Sequence, residues 1–248
     1  MSSVRSRLEN TLKSWQDWNV ALQASPQVIQ ELKGGSTNAS YLLSDGHQQL
    51  VLRLNSPHSR ILGIDRQVER KILELASQKK LAPKVYFNNL DCLVTEYLAG
   101  YVGDSNKHDL QCEYQELLNA VHQLIPDLPD FNYLDHMENY WRFLVDHGDS
   151  IPGDLCQQRT RLLPVLEKLV CSKENRVLCH HDPGLHNLRT RHGRLMLLDW
   201  EYAGMGFQDM DYAASDMIEP ASPVFSELSA YQNRLWHRVS DLADRVMS

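Results

Sequence analysis

Asp182, Asn187, Asp199 and Glu201 lie close together in one stretch, Arg176 to Asp211, and each follows a short apolar run or the loop that leaves it. Val177, Leu178 and Cys179 predict a strand that opens into a polar loop with His180, Asp182 and Asn187. A turn at Arg191-His192-Gly193 precedes a second apolar run, Leu195 to Leu198, which delivers Asp199 and Glu201. Carboxylates held just past strand ends describe a site rather than a core, because the strand fixes the backbone that presents them. Oxygen ligands of this kind suit phosphoryl transfer. There a carboxylate orients and deprotonates a hydroxyl, and an amide and a second carboxylate hold Mg²⁺ against phosphate oxygens.

Two other chemistries fit the same residues. His180, His181 and Asp182, with Cys179 and His186 nearby, contain the usual ligands of zinc. No second pair of Cys or His stands at ligand spacing, which weighs against that reading. Asp182 and Asn187 are also residues that shape turns.

The pattern H-x-D-x-x-x-x-N, here HHDPGLHN, followed by a strand and DWEYAG, resembles the catalytic and metal loops of the aminoglycoside phosphotransferase and choline kinase family, which is related to the protein kinases. Pro183-Gly184-Leu185-His186 departs from the family's usual loop but keeps the Asp-to-Asn spacing. The resemblance implies Asp182 as catalytic base, with His180 and Asn187 beside it in the catalytic loop. It implies metal ligation by Asn187 and Asp199, and a supporting or second-metal role for Glu201. ATP and Mg²⁺ are then the expected cofactors. Asp211, in Asp211-Tyr212-Ala213-Ala214, takes the place of an acid that buttresses the catalytic loop.

Upstream elements must bring a nucleotide to this loop. Val4, Leu8, Leu12 and Trp15 recur at helical spacing, which predicts an amphipathic helix over residues 4–23. Strands are expected at Val28–Leu32, Tyr41–Leu43 and Gln49–Leu54, with a hairpin turn at Ser44-Asp45-Gly46. Between the first two, Gly34, Gly35, Ser36 and Asn38 form a loop whose glycines let backbone amides approach phosphates. Arg53, on the third strand, stands where the family grips phosphate, and an arginine there can bind as a fork. Ile64 to Leu75 predicts a helix. Its segment I-D-R-Q-V-E resembles that of bacterial choline kinases and implies that Glu69 supports Arg53. Further strands are expected from Leu81 to Tyr86 and from Cys92 to Tyr97, leading to a hinge where Glu96 and Leu98 would meet adenine. Beyond it the pattern turns helical, over Leu110–Leu124, Tyr133–Val145 and Arg159–Cys171, with a last amphipathic helix at the end. His122 and His136 read as ordinary residues of that region.

Strands first and helices later predict an α+β class. The expected architecture is a two-lobed protein-kinase-like fold, with a small β-rich N-lobe over residues 1–98. A mainly helical C-lobe over 99–248 carries an inserted catalytic hairpin. The 248 residues suffice for two such lobes, and a net charge of −7 argues against nucleic acid as a partner. Five scattered cysteines without a C-x-x-C fit a reducing compartment. No apolar run has the length of a membrane span, so no membrane partner and a cytoplasmic location are expected. The resemblance, closest to choline, ethanolamine and thiamine kinases, implies phosphorylation of a cationic primary alcohol. Aminoglycoside or sugar-alcohol kinases, and a nucleotide-binding pseudokinase, are the alternatives.

Overall fold

Alternating apolar residues in the first hundred positions pair into one antiparallel sheet. In the computed structural model, which describes residues 4–32, 37–101, 107–172, 176–215, 217–220 and 222–247, its strands are β1 (Gln27–Leu32), β2 (Ala39–Ser44), β3 (Gln49–Leu54), β4 (Val85–Asn88) and β5 (Cys92–Glu96). The spatial order is β1-β2-β3-β5-β4. The β2–β3 register places Ser40 opposite Arg53, and β3–β5 places Arg53 opposite Leu93, so Arg53 sits at the sheet's centre.

Helix α1 (Val4–Lys13) is shorter than its stripe predicts and passes into a 3₁₀ turn at Trp15–Asp17. Leu8, Leu12 and Trp15 still cover one face of the sheet, over Tyr41, Leu43, Leu52 and Val94. Helix α2 (Arg66–Gln78) covers the other face, and its start is fixed chemically: the Asp65 carboxylate accepts from Gln67 and Val68 N–H. The expected strand from Leu81 begins only at Val85. Leu81 N–H still bonds back to the Ala76 carbonyl at the end of α2, and Pro83 has no N–H for a ladder.

The remaining chain is helical with small sheets set into it. Strand β6 (Gly100–Tyr101) is followed by α3 (Lys107–His122), α4 (Tyr133–Asp146) and α5 (Gly153–Cys171). Helix α5 starts earlier than its apolar spacing suggested, with Leu155 already fully buried in the first turn. Then come β7 (Val177–Cys179), β8 (Leu188–Arg191), β9 (Arg194–Leu197) and β10 (Gly204–Gly206), followed by α6 (Gln208–Ala214) and α7 (Pro223–Met247). The inserted hairpin is β8–β9, and β6 adds to its edge, while β7 pairs with β10. Strand β8 reads Leu-Arg-Thr-Arg, too polar for its pattern to announce it.

Two cores hold these parts. One runs from Ile72 and Leu93 through Tyr114, Leu118 and Val121 to Leu188 and Leu197 in the hairpin. The other joins α4, α5 and α7 through Met137, Leu144, Leu162, Leu228 and Leu235. No helix among the described residues is long and apolar enough to cross a membrane.

Candidate active site

The loop after β7 is held from behind by α6. Asp211 is fully buried, and its two oxygens accept the His180 N–H at 3.0 Å and the His181 N–H at 2.7 Å. His122 from α3 meets the same carboxylate at 2.9 Å. Burial alone would raise the Asp211 pKa, but His122, His181 and these N–H donors hold it below the ordinary value. His181 takes a positive φ of 65°, and its ring is pinned by the Tyr202 carbonyl and the Tyr133 hydroxyl. A Cβ on Gly206 would stand 2.1 Å from that hydroxyl, so only glycine fits there. His180 is fully buried, with Nε2 at 2.9 Å from the Leu198 carbonyl. Burial keeps its pKa low, and it is absent from the cleft lining, so it ties the catalytic loop to the Asp199 loop from inside.

Asp182 emerges from this frame partly exposed. Its Oδ2 accepts from Asn187 Nδ2 at 2.9 Å and lies 3.3 Å from His186 Nε2. Asn187 Nδ2 also donates to the Asp182 carbonyl, which closes the five-residue step and leaves the side-chain oxygen of Asn187 for another partner. The Asn187 carbonyl accepts from Leu198 N–H, and Asp199 comes next in the chain. Asp199 has left-handed backbone, φ 59°, and Trp200 behind it is buried with its indole N–H on Leu197. Loss of surrounding water and the Glu201, Glu69 and Asp182 carboxylates push the Asp199 pKa up to about 7, against the pull of Arg53. Excess negative charge around an open carboxylate is what a divalent cation relieves. With an amide oxygen and a carboxylate, Asn187 and Asp199 fit Mg²⁺.

Arg53 does not present a free fork. Its Nη2 donates to Glu69 at 2.5 Å and its Nε to Asn55 at 3.1 Å, leaving Nη1, 3.2 Å from Asp199, on the cleft side. Burial works against its charge, yet Glu69, Asp199 and Glu201 hold its pKa above the ordinary value. Arg66, whose role no local pattern announces, joins the same network. Its Nη1 reaches Glu69 at 2.7 Å and Glu201 at 2.9 Å, and its Nη2 reaches Asn38 at 2.9 Å. Glu201 is buried, and its Oε2 also accepts from Asn38 at 2.7 Å. Gly34, Gly35 and Ser36 lie outside the described residues.

At the expected hinge, the Glu96 carboxylate accepts from Lys84 N–H and pairs with Arg191 of the hairpin at 2.9 Å, so it joins strand and hairpin. Its N–H is taken by the Lys84 carbonyl. Leu98 lines the cleft. That cleft encloses about 840 Å³. Its lining includes an apolar group, Val51, Leu73, Pro83, Leu93 and Leu98, and a polar one, Arg53, Asp182, Asn187 and Asp199. Tyr202 and, from α7, Gln232, Trp236 and His237 also line it. These α7 residues carried no sequence signal beyond their helical spacing. Zinc chemistry finds no support at His180 and His186. Among the described residues, the group with metal-ligand spacing is His122, Cys179 and Asp211. There the carboxylate is already spent on two backbone N–H groups and His122.

Comparison with known proteins bears on the family and the fold. The family model described as "Phosphotransferase enzyme family" matches residues 28–242. A protein named thiamine kinase from Shigella boydii serotype 4 (strain Sb227) is 28% identical over 202 residues, covering 75% of this chain and 65% of that protein, just under two thirds of its length. The crystal structure of choline kinase LicA from Streptococcus pneumoniae superposes with a TM-score of 0.72 at 20% identity, covering 95% of this chain and 90% of that one. LicA in complex with AMP superposes with a TM-score of 0.74 at 20% identity, covering 97% and 91%. At such identities the structural likeness establishes the fold, a protein-kinase-like α+β architecture.

Proposed function

Because the chain belongs to the phosphotransferase enzyme family, we propose that it moves the terminal phosphoryl group of ATP onto the alcohol of a small cationic metabolite. The observation that carries this reading is that Asp182, held by Asn187, and Asp199 line one cleft whose wall also carries an apolar and an aromatic group of residues. The apolar group suits a purine, and residues 1–98 and 99–248 are the lobes that would enclose it. Asp182 accepts the proton of the acceptor hydroxyl and orients it, while Asn187 holds that carboxylate in place. Asn187 and Asp199 would hold Mg²⁺, with Arg53 Nη1 beside them. Mg²⁺, when bound, neutralises charge on the phosphate oxygens.

The aromatic group favours a cation. Trp236 donates its indole N–H to the Tyr202 hydroxyl at 2.6 Å, which fixes two aromatic groups at the cleft wall. Aromatic faces attract quaternary and thiazolium-like cations. Gln232 Oε1, buried and without a hydrogen-bond partner among the described residues, offers an acceptor to an amine or hydroxyl. Thiamine, choline and ethanolamine all fit this description. The relatives named thiamine kinase put thiamine first.

An acceptor panel tests the proposal. Thiamine, choline, ethanolamine, an aminoglycoside and a sugar alcohol are each incubated with ATP and Mg²⁺, and products are identified by mass. A phosphorylated thiamine or choline-type alcohol is expected. Phosphorylation confined to an aminoglycoside or sugar would overturn the cationic-metabolite assignment, and ATP binding without any product would overturn the enzyme assignment.

A further inference from the structure

Glu69 divides its carboxylate between two arginines. Oε1 takes Arg53, whose Nη1 continues to Asp199; Oε2 takes Arg66, whose Nη1 continues to Glu201. Helix α2 is thereby joined twice to the loop that follows β9. Only the first arm involves a residue placed on the cleft side as a metal ligand. The second arm is buried at every member: the side chains of Arg66, Glu69 and Glu201 are 6%, 2% and 2% exposed.

Arg66 is the hub of that second arm. Its Nε and Nη2 donate to Ser59, Nη2 also to Asn38, and Nη1 to both carboxylates. Asn38 in turn donates to Glu201 and accepts from Ser56 N–H, so Arg66, Glu201 and Asn38 close a ring. Asn38 immediately precedes β2 at the exit of the glycine-containing loop. One guanidinium therefore touches three segments that meet around the nucleotide position: that loop's exit, α2, and the Trp200–Tyr202 turn. Buried ion pairs of this kind add little net stability, since desolvation offsets attraction, and their better-attested use is to fix position. Glu201 borders the cleft, but its Oε2 already accepts two short hydrogen bonds, so that oxygen is committed to the ring with Arg66 and Asn38.

We propose that Arg66 and Glu201 form an interlobe latch that sets the position of Asp199 relative to Arg53, and that Glu201 acts through this latch rather than as a metal ligand. The inference rests on the phosphotransferase reading for its kinetic arm, while its binding arm stands without turnover. Arg66 is a positioning residue: it does not touch substrate, but misplacing reactive groups by about 1 Å costs on the order of a hundredfold in rate.

The test uses Arg66→Met, Glu201→Gln and the double variant, each compared with the unaltered protein. Three quantities are read: the thermal midpoint, kcat and KM for ATP per folded molecule, and the affinity for Mn²⁺ beside a non-hydrolysable ATP analogue, by electron paramagnetic resonance. Each single change should lower kcat about ten- to a hundredfold. The double variant should fall no lower than the worse single one, because both remove one interaction. Mn²⁺ affinity of Glu201→Gln should match that of Arg66→Met. A selective tenfold or greater loss of Mn²⁺ affinity in Glu201→Gln would make it a ligand and overturn the proposal. So would single losses that multiply in the double variant, or a lowered midpoint with kcat unchanged. Should Arg66→Met fail to fold, Arg66→Lys decides, since lysine keeps the charge but cannot serve both carboxylates and Asn38 at once. Its kcat should drop at an unchanged midpoint, and an unchanged kcat overturns the latch. If no acceptor turns over with the unaltered protein, the function proposal fails instead, and the Mn²⁺ comparison still judges Glu201.

Discussion

Asp182 lies three residues beyond the end of β7, and most of what places it never faces the cleft. Asp211 grips two backbone N–H groups of the loop, His180 binds the Leu198 carbonyl, and Asn187 holds the carboxylate itself. The spacing of Asp182, Asn187 and Asp199 was legible because those residues are close in sequence and their types are chemically restrictive. Arg66 and His122 were not, because their roles arise from partners 135 and 89 positions away. Arg53 stood out in the sequence and lines the cleft, but its fork is spent on Glu69 and Asn55, a fact only packing reveals. The sharpest residue-level expectation concerns Asp182→Asn. It keeps size and one acceptor oxygen but cannot take the proton, so kcat should fall by about two to four decades. ATP affinity should change little, because Asp199, Asn187 and Arg53 remain. Steady-state kinetics beside a direct ATP-binding measurement checks this; weakened binding with proportionate turnover would make Asp182 a ligand or a turn residue.

Elements with strong periodicity or a chemical boundary signal were found, and those defined by pairing were missed. Helix α2 announced itself by its apolar stripe, and Asp65 marks its start. Strand β6 spans only Gly100–Tyr101, and β8 reads Leu-Arg-Thr-Arg with a single apolar residue, so neither carries a pattern of its own. Strand β8 is held by pairing with β9, and β6 by adding to the edge of β8, Gly100 opposite Thr190. Gly100 tolerates this approach because a Cβ there would stand 2.0 Å from the Thr190 hydroxyl. At this scale the cap of α2 can be tested. Arg66 and Glu69 lie in its first turn, so a frayed start disturbs both arms of the charge network. Asp65→Ala removes the acceptor for two N–H groups and should cost about 1 kcal/mol of stability. It should also raise KM for ATP more than KM for the acceptor. Urea unfolding together with two-substrate kinetics measures both, and equal changes in the two KM values would uncouple α2 from the nucleotide.

At the scale of the molecule, the order of strands and helices gave the α+β class, but how the halves meet was not readable. The seam is partly made of histidines. His136 on α4 fills the space beside Gly63, whose φ is +73° and whose Cβ would stand 2.6 Å from the ring; Tyr140, one turn on, bonds the Leu62 carbonyl. His136 also packs at a tilt against Phe131 and meets Tyr202 edge-on, and His181 packs at a tilt against Phe131. Burial, with His181 nearby, pulls the His136 pKa down to about 3, and burial lowers His180 and His181 as well. An unfolded histidine titrates near 6.5. Below that pH the unfolded chain binds protons that the folded one refuses, so stability must fall as pH drops from about 6.5 towards about 3. Asp199 works in the opposite sense: its folded pKa of about 7 favours the folded state as pH falls towards the ordinary carboxylate range. Glu69 and Asp211, both lowered, lose their contribution only below about pH 4. Across pH 4.5 to 6.5 His136 and Asp199 pull in opposite senses, and the lowering of His180 and His181 tips the net slope towards loss of stability on acidification. Urea midpoints across that window should therefore decline steadily towards the acid end. In His136→Phe, which keeps a planar ring but cannot be protonated, the slope should be shallower by up to about 1.4 kcal/mol per pH unit. An unchanged slope would mean that His136 is not held neutral at the seam, and the decline would then belong to His180 and His181 behind the catalytic loop.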